Sequence, residues 1–193
     1  MSNFFNDVNT LVVGFTLNNF NSLSSGNRFI DNALQQNHNL RYSKYNLFNY
    51  TTIFAFLNYT STKDPVVNRS FFNGISQISD RVNANFTNES VSGTFSYQRS
   101  FKKFYKASAV TNITWSKNNQ LFVNPADPTN PAVDFSRSIE NWNQFYRVSL
   151  GTQFQKLPNL EAAYGINVNE NPGAVFTTHS PSVTLDYRII EGL

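Results

Sequence analysis

Cysteine is absent from this chain of 193 residues, which removes disulfide scaffolds, thiolate metal sites and cysteine nucleophiles together. Histidine is almost as scarce, and His38 and His179 stand far apart with no ligand-spaced neighbour, so no metal centre is expected. Charged residues make up 14% of the chain, against roughly 25% in an average soluble domain. The 15 basic and 12 acidic side chains leave a net charge of only +3, too small an imbalance to point to nucleic acid. No stretch approaches the ~20 apolar residues of a membrane helix. The apolar run Leu11 to Leu17 lacks the basic flank and the small-residue cleavage site of a signal peptide. Gly-rich phosphate loops and nucleophile motifs are missing too, so neither enzyme activity nor a cofactor is expected.

Aromatics, by contrast, reach 16%, with 19 phenylalanines. Asparagine, about 29 residues by count, is the other excess, although it is depleted in helices and ordinary strands alike. Polarity is thus carried by amides and hydroxyls. Apolar residues at helical spacing are confined to Ile30 to Gln36, room for a turn or two, and the rest alternates with period two. From Trp142 to Phe154 one parity carries Trp142, Tyr146, Val148 and Leu150, while the other carries Asn143, Phe145, Arg147, Ser149 and Gly151. Beyond a turn at Lys156 to Asn159 the partition repeats, with Leu160, Ala162, Tyr164, Ile166 and Val168 opposite Glu161, Ala163, Gly165, Asn167 and Asn169. Similar segments run from Phe95 to Phe101, from Tyr105 to Trp115, from Ile53 to Tyr59 and from Val183 to Ile189; Leu11 to Leu17 opens the series and Leu40 and Tyr42 make a weaker member.

The pattern predicts an all-β, antiparallel up-and-down meander of about eight strands in a single unit over residues 1–193. Short connections fall at Asn46 to Asn49, Phe101 to Phe104 and Lys156 to Asn159. Longer excursions fall at Asn18 to Asn37, Ser61 to Asn88, Asn124 to Asp134 and Glu170 to Ser180. Within the second of these, Asn73-Gly74 is the commonest dipeptide of a type I′ hairpin. Three features point to part of a transmembrane β-barrel. The polar parity is rich in Asn, Gln, Ser and Thr, aromatics such as Tyr105 and Trp115 bound the apolar faces, and short turns alternate with long loops. Val148, Leu150, Tyr164 and Ile166 then face lipid, and Arg147, Glu161, Asp186 and Arg188 face a polar lumen, as cross-strand ion pairs or as contacts to solute or plug.

The run His38-Asn39-Leu40-Arg41-Tyr42-Ser43-Lys44-Tyr45-Asn46-Leu47-Phe48-Asn49-Tyr50-Thr51, the Asn73-Gly74 hairpin that follows and the Lys102-Lys103 turn resemble the TonB-dependent-receptor-like outer membrane β-barrel proteins of Bacteroidota. Gly26-Asn27 with Leu34 resembles a Gly-Asn-Pro, Leu, Pro-Glu segment of that family, with Arg28 in place of the proline and Gln35-Gln36 in place of Pro-Glu. The resemblance implies an internal slice of a larger barrel in the Gram-negative outer membrane, without plug or signal peptide. It implies active uptake of a solute, with outer-membrane lipid, the remaining strands and plug of the parent barrel, and TonB through that parent as partners. Such a slice has edges at Leu11 to Leu17 and Val183 to Ile189 that need neighbours. Two alternatives stay open. One is a soluble or surface-attached, adhesin-like β-sandwich binding through its long loops. The other is a small closed eight-stranded outer-membrane barrel filled by Phe54, Phe56, Phe145 and Arg147. Asp127 and Asp134 offer oxygen ligands to calcium but lack the repeated acidic spacing of a dedicated site.

Overall fold

Alternating aromatic and β-branched residues produce strands almost throughout: in the computed structural model 77% of the described residues are strand, and among them no helix forms. The structure describes residues 2–3, 14–102, 104–124, 126–129, 134–155 and 157–187. Among the described residues twelve strands follow one another: β1 (Ser2–Asn3), β2 (Phe15–Asn19), β3 (Ser22–Ser25), β4 (Leu34–Asn46), β5 (Thr51–Lys63), β6 (Val66–Asn73), β7 (Ser76–Asn83), β8 (Thr87–Phe101), β9 (Tyr105–Phe122), β10 (Phe135–Thr152), β11 (Asn159–Asn171) and β12 (Ala174–Asp186). Ile30 to Gln36 makes no helical turn; Ile30 and Ala33 are buried in an irregular segment, and β4 begins at Leu34.

Two sheets result. The larger has the order β1-β4-β5-β8-β9-β10-β11-β12, and the smaller β2-β3-β7-β6. The antiparallel all-β architecture is therefore present, but a single meander is not. The β6–β7 arm leaves the run of neighbours, and β3 pairs with β7 in parallel, Ser22 opposite Gln77 and Ser25 opposite Asp80. Parallel pairing joins segments more than fifty residues apart, which no local pattern encodes. Among the described residues no ladder joins the two ends of the larger sheet and no closed barrel is seen. One of those ends is β12. The other is β1, which pairs with β4, Ser2 opposite Gln35 and Asn3 opposite Leu34. The described part of Leu11 to Leu17 enters β2, at the edge of the smaller sheet, and Leu11 to Val13 lie outside the described residues, as do Arg188 and Ile189.

Contacts divide the chain into two compact units. One holds residues 1–37, 60–90 and 116–139; the other holds 38–59, 91–115 and 140–193. The boundary falls inside β4, β5, β8, β9 and β10.

Turn chemistry explains the connections. Glu170 to Ser180 is not a long excursion: Asn171 pairs with Ala174, leaving Pro172-Gly173 as a two-residue turn with Gly173 at φ 94°. Proline first and a positive-φ glycine second is the sequence of a type II turn. Asn73 pairs with Ser76, so the arm turns on Gly74-Ile75, with the positive φ, 65°, at Gly74. That is the glycine-first turn, displaced by one residue from an Asn-Gly turn of type I′. The asparagine excess finds its use in the same places. Asn19, Asn27, Asn46 and Asn124 each accept the backbone N–H two residues on, at 2.9–3.1 Å, closing Asx turns. Asn83 bridges Asp31 in both directions, and Asn27 Nδ2 donates to the Arg81 carbonyl, tying the irregular segment after β3 to the arm.

Candidate functional site

In the unit that carries most of β10, β11 and β12, register fixes which side chains share a face. Val148 lies opposite Tyr164, Leu150 opposite Ala162 and Tyr146 opposite Ile166. Tyr164 in turn lies opposite Pro181, Ala162 opposite Val183 and Leu160 opposite Leu185. Directly paired residues point the same way, so these side chains form one apolar surface. It is bare: Val148 is 57% exposed, Leu150 69% and Val183 73%. Val148, Leu150, Ala162, Tyr164, Pro181 and Val183 line one shallow apolar depression; Ala55, Leu57, Val91, Phe95, Thr111 and Ile113 line another. Aromatic pairs lie at the start of β9 and at Trp115, within it. Tyr105 and Phe104 meet Phe154, with ring centroids 6.5 and 5.6 Å apart, and Trp115 meets Trp142 at 6.1 Å.

The opposite face is polar and better covered. Ser149 is 7% exposed and shares a hydroxyl hydrogen bond of 2.7 Å with Ser108. Phe145 lies over Gly165, 3.7 Å from the position a Cβ would take there. Arg147 and Glu161 stand 3.8 Å apart, both about half exposed, which places them among pairs that contribute at most about 1 kcal/mol. Asp186 is in register with Asn159 at the end of β12 and joins no ion pair with them. Ile166 lies beside His179, whose Nδ1 is 2.8 Å from the Tyr164 hydroxyl.

The other unit holds a charged cluster that the sequence reading missed. Arg69 on β6 is 2% exposed. Its Nε donates to Asp134 Oδ2, its Nη2 to the Pro128 carbonyl at 2.7 Å, and its Nη1 lies 3.5 Å from Asp80 Oδ2. The guanidinium also sits 5.2 Å from the centre of the Phe71 ring. Asp134, equally buried, accepts the Asn124 N–H on its other oxygen, at 3.1 Å. Both its oxygens thus accept hydrogen bonds, and Asp127 accepts the Thr129 hydroxyl at 3.1 Å. Among the described residues no cluster has the makings of a metal site. Burial pushes the Asp80 carboxyl above its usual range, against the opposing pull of Arg69. Arg69 opposite Asp80 is legible once the hairpin turn is placed, but Asp134, far along the chain, gives no local signal.

In comparisons with protein-family models, with curated proteins and with solved structures, nothing matches the chain.

Proposed function

We propose that the chain is a segment of an outer-membrane β-barrel of the TonB-dependent-receptor-like kind, and that it serves active uptake of a solute across that membrane. The observation that carries the reading is the exposed apolar face of β10, β11 and β12, bounded on β9 by aromatic clusters at Tyr105 and Trp115. At about 3.4 Å per residue the ten positions between them cover roughly 34 Å of strand; tilted by about 40°, that is roughly 26 Å along the membrane normal, against about 25 Å for the apolar band of such barrels. A surface this apolar needs a cover, since soluble monomers rarely expose contiguous patches above a few hundred Å². Lipid is that cover, and the amide- and hydroxyl-rich opposite face borders the path of the solute. The family resemblance of residues 38–51 supplies the transport part of the reading, by analogy.

The test replaces Trp115 and Trp142 with phenylalanine and places single tryptophans at 150 and 164 in chains reconstituted with brominated lipids. Strong fluorescence quenching at both sites is expected. Absence of quenching at both, or a monodisperse monomer in buffer without detergent, removes the membrane reading in favour of a β-sheet module that binds through its loops.

A further inference from the structure

The smaller sheet presents a second surface of different chemistry. Register aligns Thr16 with Ser24, Ser24 with Ser79 and Ser79 with Ser70, so one rung of four hydroxyls crosses all four strands. The neighbouring rungs on the same face carry Asn68 opposite Arg81, and Phe72 opposite Gln77 opposite Ser22. Asn18, at the irregularity in β2, accepts the Ser24 hydroxyl at 3.2 Å, and Ser70 and Ser79 share a hydrogen bond of 2.7 Å. Apart from Val66, opposite Asn83 at its end, the face carries no aliphatic side chain, and it carries one charged one, whereas a solvated sheet face is ordinarily studded with Lys and Glu. A cleft of about 470 Å³ opens on it, among Thr16, Asn18, Ser24, Asn68, Ser79 and Arg81. That lies within the ~300–1,000 Å³ range of small-molecule sites.

We propose that this cleft binds a saccharide. Hydroxyls and amides each donate and accept, as vicinal sugar hydroxyls do, so the rung and the ligand can exchange hydrogen bonds in series. An apolar ligand finds no lining here. Phe72, 71% exposed and one rung beyond Ser70 on the same face, offers a ring for the C–H side of a pyranose. Arg81 is the single cation on the face, so a bare anion would lack the several charge partners that such ligands usually recruit. The inference concerns the smaller sheet and is independent of whether the larger sheet faces lipid.

The experiment is calorimetric titration of the full chain, in detergent, with maltohexaose, cellohexaose, xylohexaose, chitohexaose and, as a separate arm, inorganic phosphate. At least one oligosaccharide is expected to bind with a dissociation constant in the millimolar range or below. Thr16→Val, which keeps the shape of the side chain, and Ser79→Ala each weaken that binding roughly three- to tenfold, the equivalent of one hydrogen bond. Phe72→Ala weakens it as well, while Ser108→Ala, which removes a hydroxyl from the larger sheet, leaves it unchanged. Binding of phosphate alone, of no oligosaccharide, or with equal affinity by all four variants overturns the proposal. Retained strand circular dichroism in each variant separates loss of binding from loss of fold.

Discussion

At the scale of single residues the two carboxylates on Arg69 are not equivalent. Asp134 is buried with it, whereas Asp80 is about a third exposed and has a carboxyl pushed above the usual range by burial. Asp134→Asn leaves a buried guanidinium short of its main counter-ion, and a loss of about 3–5 kcal/mol is expected in denaturant unfolding at neutral pH. For Asp80 the sign is reversed. A carboxyl with a raised folded pKa contributes stability that is complete below its unfolded value of 3.8 and is lost as pH rises through the folded value. Asp80→Asn, which does not titrate, therefore gains on the wild type as pH rises from 3.8, and unfolding midpoints taken across that window check it. A gap that widens towards acid refutes the assignment. On the larger sheet Val148 lies about midway between the aromatic clusters. Val148→Arg is expected to cost about 2–4 kcal/mol in lipid, where the same change on a water-facing strand stays within about 0.5 kcal/mol.

Elements are set by what their turns tolerate. Gly173 has φ 94° and open space around a would-be Cβ, so strain alone decides what may stand there. Gly173→Ala should lower stability by about 1–2 kcal/mol through the left-handed backbone penalty, and a loss much above that in thermal unfolding would mean that the turn packs against something. Strand edges are the other property of this scale. Each residue of β12 is exposed, and its outer backbone groups meet no neighbour among the described residues. Hydrogen exchange by mass spectrometry should therefore find β12 less protected than β11, which is paired on both sides. Equal protection would reveal a strand already seated on β12, supplied by a second chain.

For the whole molecule, the count of strands bears on closure. Eight strands, β1, β4, β5, β8, β9, β10, β11 and β12, alternate in direction across the larger sheet, so the first and last run opposite ways. Joining β1 to β12 would be antiparallel, as in up-and-down outer-membrane barrels with their even strand numbers, but among the described residues no such ladder is present. An edge in hydrocarbon is not tolerated, so in the membrane reading β12 requires an antiparallel neighbour. What the sequence by itself determined is the local part of this molecule: the all-β class, the parity that puts Val148, Leu150 and Tyr164 on one face, and the turns between β4 and β5, β8 and β9, and β10 and β11. Those follow from a two-residue side-chain period and from the needs of Asn, Gly and Pro in turns, all of which act within a few residues. Local rules still misjudged the segment from Glu170 to Ser180, where polar residues in an exposed hairpin resemble a loop. Only the tertiary structure decided that β3 joins β7 in parallel, that the arm builds a second sheet with a rung of hydroxyls, and that Arg69 meets Asp134. Such choices depend on which distant segments satisfy one another's backbone and charge, and free energies of pairing between remote segments leave no periodic trace in the chain.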